Sequence, residues 1–174
     1  MEFWEDIALS RIIASFAVLC LVSLGCLAPA AAAESNPLLG TWVLDASRSK
    51  FDEGPVPKAE TRTYAISQVA GALTIVVEGV GPDGAAYAYG ASGDLDGKTY
   101  PISGRDEGAR ILGDSISWRR IDANTVEMAV KKKADVLDTV RHSVSEDGKT
   151  LTVTENGMGL EGMRVHATMV YYKH

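Results

Sequence analysis

From position 40 onward, apolar and polar residues alternate in short runs, and turn-forming residues break the alternation about every 8–12 positions. No long stretch shows helical spacing. The pattern predicts strands over 40–45, 61–69, 72–80, 85–92, 98–102, 114–121, 125–133, 136–144, 150–156 and 163–172, with 51–57 (FDEGPVP) as a proline-containing loop. Gly81-Pro82-Asp83-Gly84, Asp94-Leu95-Asp96-Gly97, Asp122-Ala123-Asn124 and Glu146-Asp147-Gly148 supply the turns. Strand content on this reading far exceeds the roughly 20–25% of an ordinary domain. A chain of consecutive hairpins leaves two open edges unless it closes. The expected fold is therefore all-β, an antiparallel up-and-down barrel of about 8–10 strands.

Turns also fix which residues share a face. With Ile121 opposite Thr125, Trp118 faces Met128, Ile116 faces Val130, Arg120 faces Val126 and Arg119 faces Glu127. A two-residue turn at Ala134-Asp135 then sets Met128 against Arg141, Glu127 against His142 and Lys131 against Asp138. Val144 opposite Thr150 sets Val153 beside Arg141 and Glu155 beside Thr139. The face holding Ile116, Trp118, Val126, Met128, Val130, Leu151 and Val153 is predicted to be the interior, and Arg120 and Arg141 fall on it. Arg119, Glu127, Lys131, Asp138, His142 and Thr152 fall on the solvent face. With Val80 opposite Ala85, Tyr87 faces Glu78 and Tyr89 faces Val76, and composition leaves open whether these tyrosines point inward or outward.

The N-terminal part reads differently. Residues 12–27 are almost entirely apolar, too short a run for a bilayer span of ~20 residues. The small residues of 28–33 (APAAAA) then offer a cleavage pattern. Residues 1–33 are therefore predicted to be a secretion signal and 34–174 one barrel domain, secreted or periplasmic. Glu2, Glu5 and Asp6 outnumber Arg11 where a signal is ordinarily basic, which leaves a misplaced start codon or a retained anchor as alternatives. Lipidation at Cys26 is poorly matched by Ser23 and Leu24. Cys20 and Cys26 both lie in the leader, so the domain has no disulfide or thiolate chemistry. Losing Glu2, Glu5, Asp6 and Arg11 takes the net charge from −6 to −4, which argues against nucleic-acid binding.

Gly40-Thr41-Trp42 opening the first strand of such a meander resembles the calycin superfamily, the lipocalins and fatty-acid-binding proteins. There, a Gly-x-Trp lays an indole across the closed end of a barrel. The closing Val170-Tyr171 resembles the last strand of the fatty-acid-binding branch. Four stretches, 40–64 (GTWVLDASRSKFDEGPVPKAETRTY), 96–104 (DGKTYPISG), 120–127 (RIDANTVE) and 145–154 (SEDGKTLTVT), resemble secreted bacterial lipocalin-like proteins of undefined function. The resemblance implies a lipocalin-like barrel plugged by Trp42. In the fatty-acid-binding branch an Arg-x-Tyr in the last strand grips a carboxylate. Here the positions read Met169-Val170-Tyr171, without the arginine.

The candidate chemistry follows from these faces. Arg141 either binds an acidic head group or pairs with Glu155. Arg120, near a turn, either reaches the ligand or snorkels at the rim. Trp118 and Met128 form either ordinary core or a pocket wall, and the Tyr171 hydroxyl could reach a ligand or water. Lys131-Lys132-Lys133 is an anion patch or a solvated strand end. His142, His166 and His174 lack metal-ligand spacing. No serine sits in a nucleophile elbow, and no His–acid pair falls on the predicted interior, so no catalytic residue, metal or cofactor is expected. The expected function is binding of a small apolar or amphipathic ligand inside the barrel by Trp118, Met128, Arg141, Tyr171 and Arg120. The protein is expected to be a non-enzymatic monomer, with no nucleic-acid partner and no stable membrane insertion once the leader is lost. The alternative is a protein-binding module, such as a periplasmic protease inhibitor, using the arm 34–39 and the loop 51–57.

Overall fold

A computed structural model describes residues 36–66, 72–103, 113–158 and 163–174. The predicted signal, both cysteines and the end of the predicted strand 61–69 lie outside them. The strands are β1 (Gly40–Leu44), β2 (Lys50–Glu53), β3 (Ala59–Ile66), β4 (Leu73–Val80), β5 (Ala86–Gly93) and β6 (Asp96–Ser103). They continue with β7 (Ser115–Arg120), β8 (Thr125–Lys132), β9 (Asp135–Val144), β10 (Thr150–Met158) and β11 (Arg164–Lys173). From β3 onward each strand pairs antiparallel with the next, β1 pairs with β3, and β1 also pairs with β11. Ten strands thus close into a barrel. β2 lies beyond the end of β1 and pairs with the same strand, β11, through Ala167↔Phe51 and Thr168↔Lys50. Part of the predicted loop 51–57 is therefore strand.

Two turns carry one more residue than the sequence suggested. In the first, Gly81 N donates to Ala85 O at 2.8 Å, Gly84 takes a positive φ of 90°, and pairing resumes at Val80↔Ala86. In the other, Ser145 N donates to Thr150 O at 2.9 Å, Gly148 has φ 68°, and pairing resumes at Leu151↔Val144. A left-handed glycine closing a turn inserts an extra residue of this kind, and each insertion reverses the following strand. As a result Tyr87 faces Gly79 and Tyr89 faces Val77, and both tyrosines point inward.

The β8–β9 hairpin departs from expectation in the same way. Its turn is Lys133-Ala134, with Lys133 at φ 58° and Lys132 opposite Asp135, and the register shifts between Val130 and Lys131. Beyond that bulge Val130 faces Asp138, Met128 faces Val140, Glu127 faces Arg141 and Val126 faces His142. β9 alone is turned over relative to the predicted faces, because the errors on its two sides cancel for β10. Apart from Arg120, which is exposed beside its turn, the predicted interior residues of β7, β8 and β10 stay inside, with Ile116, Trp118, Val126, Leu151 and Val153 essentially inaccessible.

Candidate functional site

One half of the barrel is packed solid. Trp42 is fully buried there, with Nε1 donating to the Leu38 carbonyl at 2.8 Å and Lys173 Nζ 5.0 Å from the ring centroid. Behind it the rings of Tyr64 and Trp118 flank His142, at centroid distances of 5.8 and 5.5 Å. Tyr64 Oη, Trp118 Nε1 and both His142 nitrogens have no hydrogen-bond partner. Burial drives the His142 imidazole down to about 3, with the Arg62 charge acting in the same direction, so the ring is neutral at ordinary pH.

The other half holds an open cavity of about 420 Å³, within the range of roughly 300–1,000 Å³ typical of ligand sites. Ile75, Ile116, Met128, Val140 and Met169 contribute apolar wall, and Pro55, Pro57, Pro82, Met158 and Met163 stand toward its mouth. Four acidic or basic side chains well inside also line it: Glu60, Arg62, Asp138 and Glu155.

Glu60 and Arg62 are successive inward positions of β3. Their outward neighbours, Thr61 and Thr63, face β1 and β4 across the sheet. Arg62 Nε donates to Glu60 Oε1 at 2.8 Å and to Tyr171 Oη at 3.0 Å, while Tyr171 Oη donates to Glu60 Oε1 at 2.5 Å. Tyr87 Oη donates to the remaining oxygen, Glu60 Oε2. Gly79 makes room for this last bond: a Cβ there would stand 2.3 Å from the Tyr87 ring. Burial opposes the Arg62 charge, but the fields of Glu60 and Tyr171 outweigh it and hold the guanidinium well above its ordinary range. Burial first, and the Glu60 charge with it, pushes the Tyr87 hydroxyl up, so it remains a donor. Arg62 of β3 thus meets Tyr171 of β11, and its charge is already met by Glu60.

Asp138 and Glu155 are a different kind of pair. Asp138 follows the β9 bulge, and Glu155 projects inward from β10 opposite Val140. Asp138 is 4% exposed, and its Oδ1 has no hydrogen-bond partner. Gly157 sits directly across from it, where a Cβ would fall 2.6 Å from Oδ1 and 2.5 Å from the Asp138 Cα. Among the described residues no lysine or arginine forms an ion pair with either carboxyl. Burial raises both carboxyls. For Glu155 the neighbouring Asp138 charge adds to the rise, and Arg62 only partly offsets it. Each carboxyl therefore holds a proton more readily than a free one.

The predicted site residues separate accordingly. Met128 lines the cavity. Tyr171 is inside, but its hydroxyl is committed to Glu60 and Arg62. Trp118 belongs to the packed half. Arg141 faces solvent, not the interior: its Nη2 lies 3.1 Å from Glu127 Oε2, and Glu127 also pairs with Arg119 at 2.5 Å. Arg120 is exposed and donates to the Ala123 carbonyl at 3.3 Å. Asp138 and His142, placed outside by the sequence reading, are inside. So an ionisable set including acids and a histidine does occupy the interior, contrary to expectation. Lys131 faces Val136, not Asp138, and donates to Thr99 Oγ1 at 3.2 Å. Glu60 and Arg62 gave no interior signal because large polar residues on an alternating strand read as a solvent face, while Tyr87 and Tyr89, left open by composition, are inside. The usable signal was the alternation Glu60, Arg62, Tyr64 against Ala59, Thr61, Thr63, Ala65, which puts the small β-formers on the other side.

Comparison of this chain with known families, with curated proteins and with solved structures finds no match.

Proposed function

We propose that this barrel is a lipocalin-like binder of a small apolar or amphipathic molecule, working outside the cytoplasm after loss of its leader. The observation that carries the reading is the cavity of about 420 Å³ in the open half, walled by aliphatic and methionine side chains and carrying a few fixed polar groups. A concave, mostly apolar site oriented by a few polar groups is the ordinary form of a small-molecule pocket. A ten-strand barrel is wide enough to keep such a space open. The Gly40-Thr41-Trp42 opening and the full burial of Trp42, with its indole N–H held by the Leu38 carbonyl, support the lipocalin-like assignment. The leader-like segment 1–33 supports secretion.

The test is native mass spectrometry of protein recovered from its own host, together with titration of the neutral fluorescent probe N-phenyl-1-naphthylamine. A retained small molecule, or a saturable rise in probe fluorescence, is expected. Protein that is always empty and leaves the probe dark would overturn the reading.

A further inference from the structure

We propose that the head group accepted by this cavity is an organic cation, an ammonium or guanidinium on an apolar body, held by Asp138 and Glu155. This rests on the ligand-binding reading above and specifies its chemistry. Within the described part of the cavity's interior, three carboxyl groups face one guanidinium. Glu60 and Arg62 neutralise each other at 2.8 Å, and the tyrosine hydroxyls of residues 87 and 171 occupy the rest of the Glu60 carboxylate. Arg62 is therefore not available to a ligand carboxylate: reaching one would mean giving up Glu60 in a buried setting.

Asp138 and Glu155 are left over. Both line the cavity and, among the described residues, no lysine or arginine forms an ion pair with either; Asp138 Oδ1 is itself shut in against Gly157, so a ligand reaches the pair through its other carboxylate oxygens. A carboxyl pair without a counter-charge inside a protein is costly, and a ligand that brings N–H donors with positive charge offsets that cost. Two carboxyls side by side suit a head group with several donors, which an ammonium or guanidinium has and an alcohol lacks. The described residues contain no group of three or more metal-binding side chains, so an organic cation fits the pair better than a bare metal ion. The apolar wall formed by Ile116, Met128 and Val140 would receive the body of such a ligand.

The experiment is displacement of N-phenyl-1-naphthylamine at pH 7 by decylamine, decanol and decanoate, which share a chain length and differ in head group. Decylamine is expected to displace the probe at concentrations at least about 10-fold lower than decanoate or decanol. The near-isosteric variants Asp138→Asn and Glu155→Gln, and above all the double variant, should bring decylamine to the level of decanol measured on the same variant. Circular dichroism of each variant reports whether the barrel is intact. Decanoate equal to or better than decylamine, or an amine preference that survives the double variant, overturns the cationic head group and leaves the cavity reading standing. So does competition with decylamine by Ca²⁺ or Zn²⁺ alone at equal concentration. If the probe and all three compounds fail to bind, the cavity reading falls and this proposal falls with it.

Discussion

Arg62 and Tyr171, 109 positions apart in sequence, meet inside the barrel, with the guanidinium Nε 3.0 Å from the phenol oxygen and its carbon 5.3 Å from the ring centroid. Because β1 pairs with both β3 and β11, this contact ties the two ends of the sheet together across the closing strand. Glu60 completes it. Removing one member of so buried an ion pair leaves the other uncompensated, at a cost of about 3–5 kcal/mol. Arg62→Met and Glu60→Gln are each expected to destabilise the protein by that order in urea unfolding. The double variant should lose clearly less than the sum, since both charges leave together. Additive losses would show that the pair is not coupled.

The outer face of the same barrel should behave in the opposite way. Arg141 and Arg119 both reach Glu127, but both arginines are more than half exposed, and exposed pairs contribute only about 0–1 kcal/mol. Arg141→Ala and Arg120→Ala are expected to change stability by less than about 1 kcal/mol and to leave probe binding unaltered. This contrast with Arg62→Met tests the orientation of β9 directly. A large loss of binding on replacing Arg141 would mean that β9 is turned the other way.

How much of this was legible depended on turn chemistry. The hairpin at Asp122–Asn124 closes as its turn residues predict, and every pairing derived from it, from Trp118↔Met128 to Arg119↔Glu127, stands, although Arg120 at its end turns out to solvent. The hairpins closed by Gly84 and Gly148 each hide one extra residue, because a left-handed glycine permits a bulge that counting turn residues does not reveal. At Lys133 even that signal is missing, since a lysine with φ 58° gives no warning in sequence. Strand existence follows from alternation, which is local. Strand facing depends on the parity of each loop, so one miscounted residue exchanged Arg141 for Asp138 and His142. That single exchange changes the interior from one with a spare cation to one with a spare anion. The cavity itself was not legible, since its volume depends on how residues from several strands, such as Ile75, Met128 and Met169, meet across the barrel.

His142 makes the fold sensitive to acid. Its folded-state value of about 3 lies below the 6.5 of an unfolded histidine, so the unfolded chain binds this proton first as pH falls. The stability is fully present above about pH 6.5 and drains away at up to about 1.4 kcal/mol per pH unit as pH falls toward 3. Tyr64 from β3, Trp118 from β7 and the Arg62 charge face the ring without offering it a hydrogen bond, and the Val126 backbone of β8, which favours the protonated ring, does not outweigh burial. His142→Phe is expected to flatten the acid limb of stability against pH relative to the parent. It should also leave stability at pH 7 unchanged or raised, because two unmet nitrogens disappear. Identical acid limbs in parent and variant would remove His142 as the cause.

Gly157 is the most demanding glycine near the carboxyl pair. A Cβ at that position would lie 2.5 Å from both the Asp138 Cα and the Leu137 carbonyl oxygen, and backbone atoms cannot swing aside as a side-chain tip can. Overpacking of this kind commonly costs about 1–3 kcal/mol. Because the strain falls on the β9 bulge that turns Asp138 inward, Gly157→Ala should weaken decylamine binding more than decanol binding. A control away from the cavity is Gly148→Ala, where φ is 68° and a Cβ would meet nothing within 4 Å. That variant should lose stability through backbone strain alone and keep the ratio of amine to alcohol affinity. Both quantities come from the same displacement titration run beside a urea melt. Equal effects of the two variants on the ratio would separate the bulge from the orientation of Asp138.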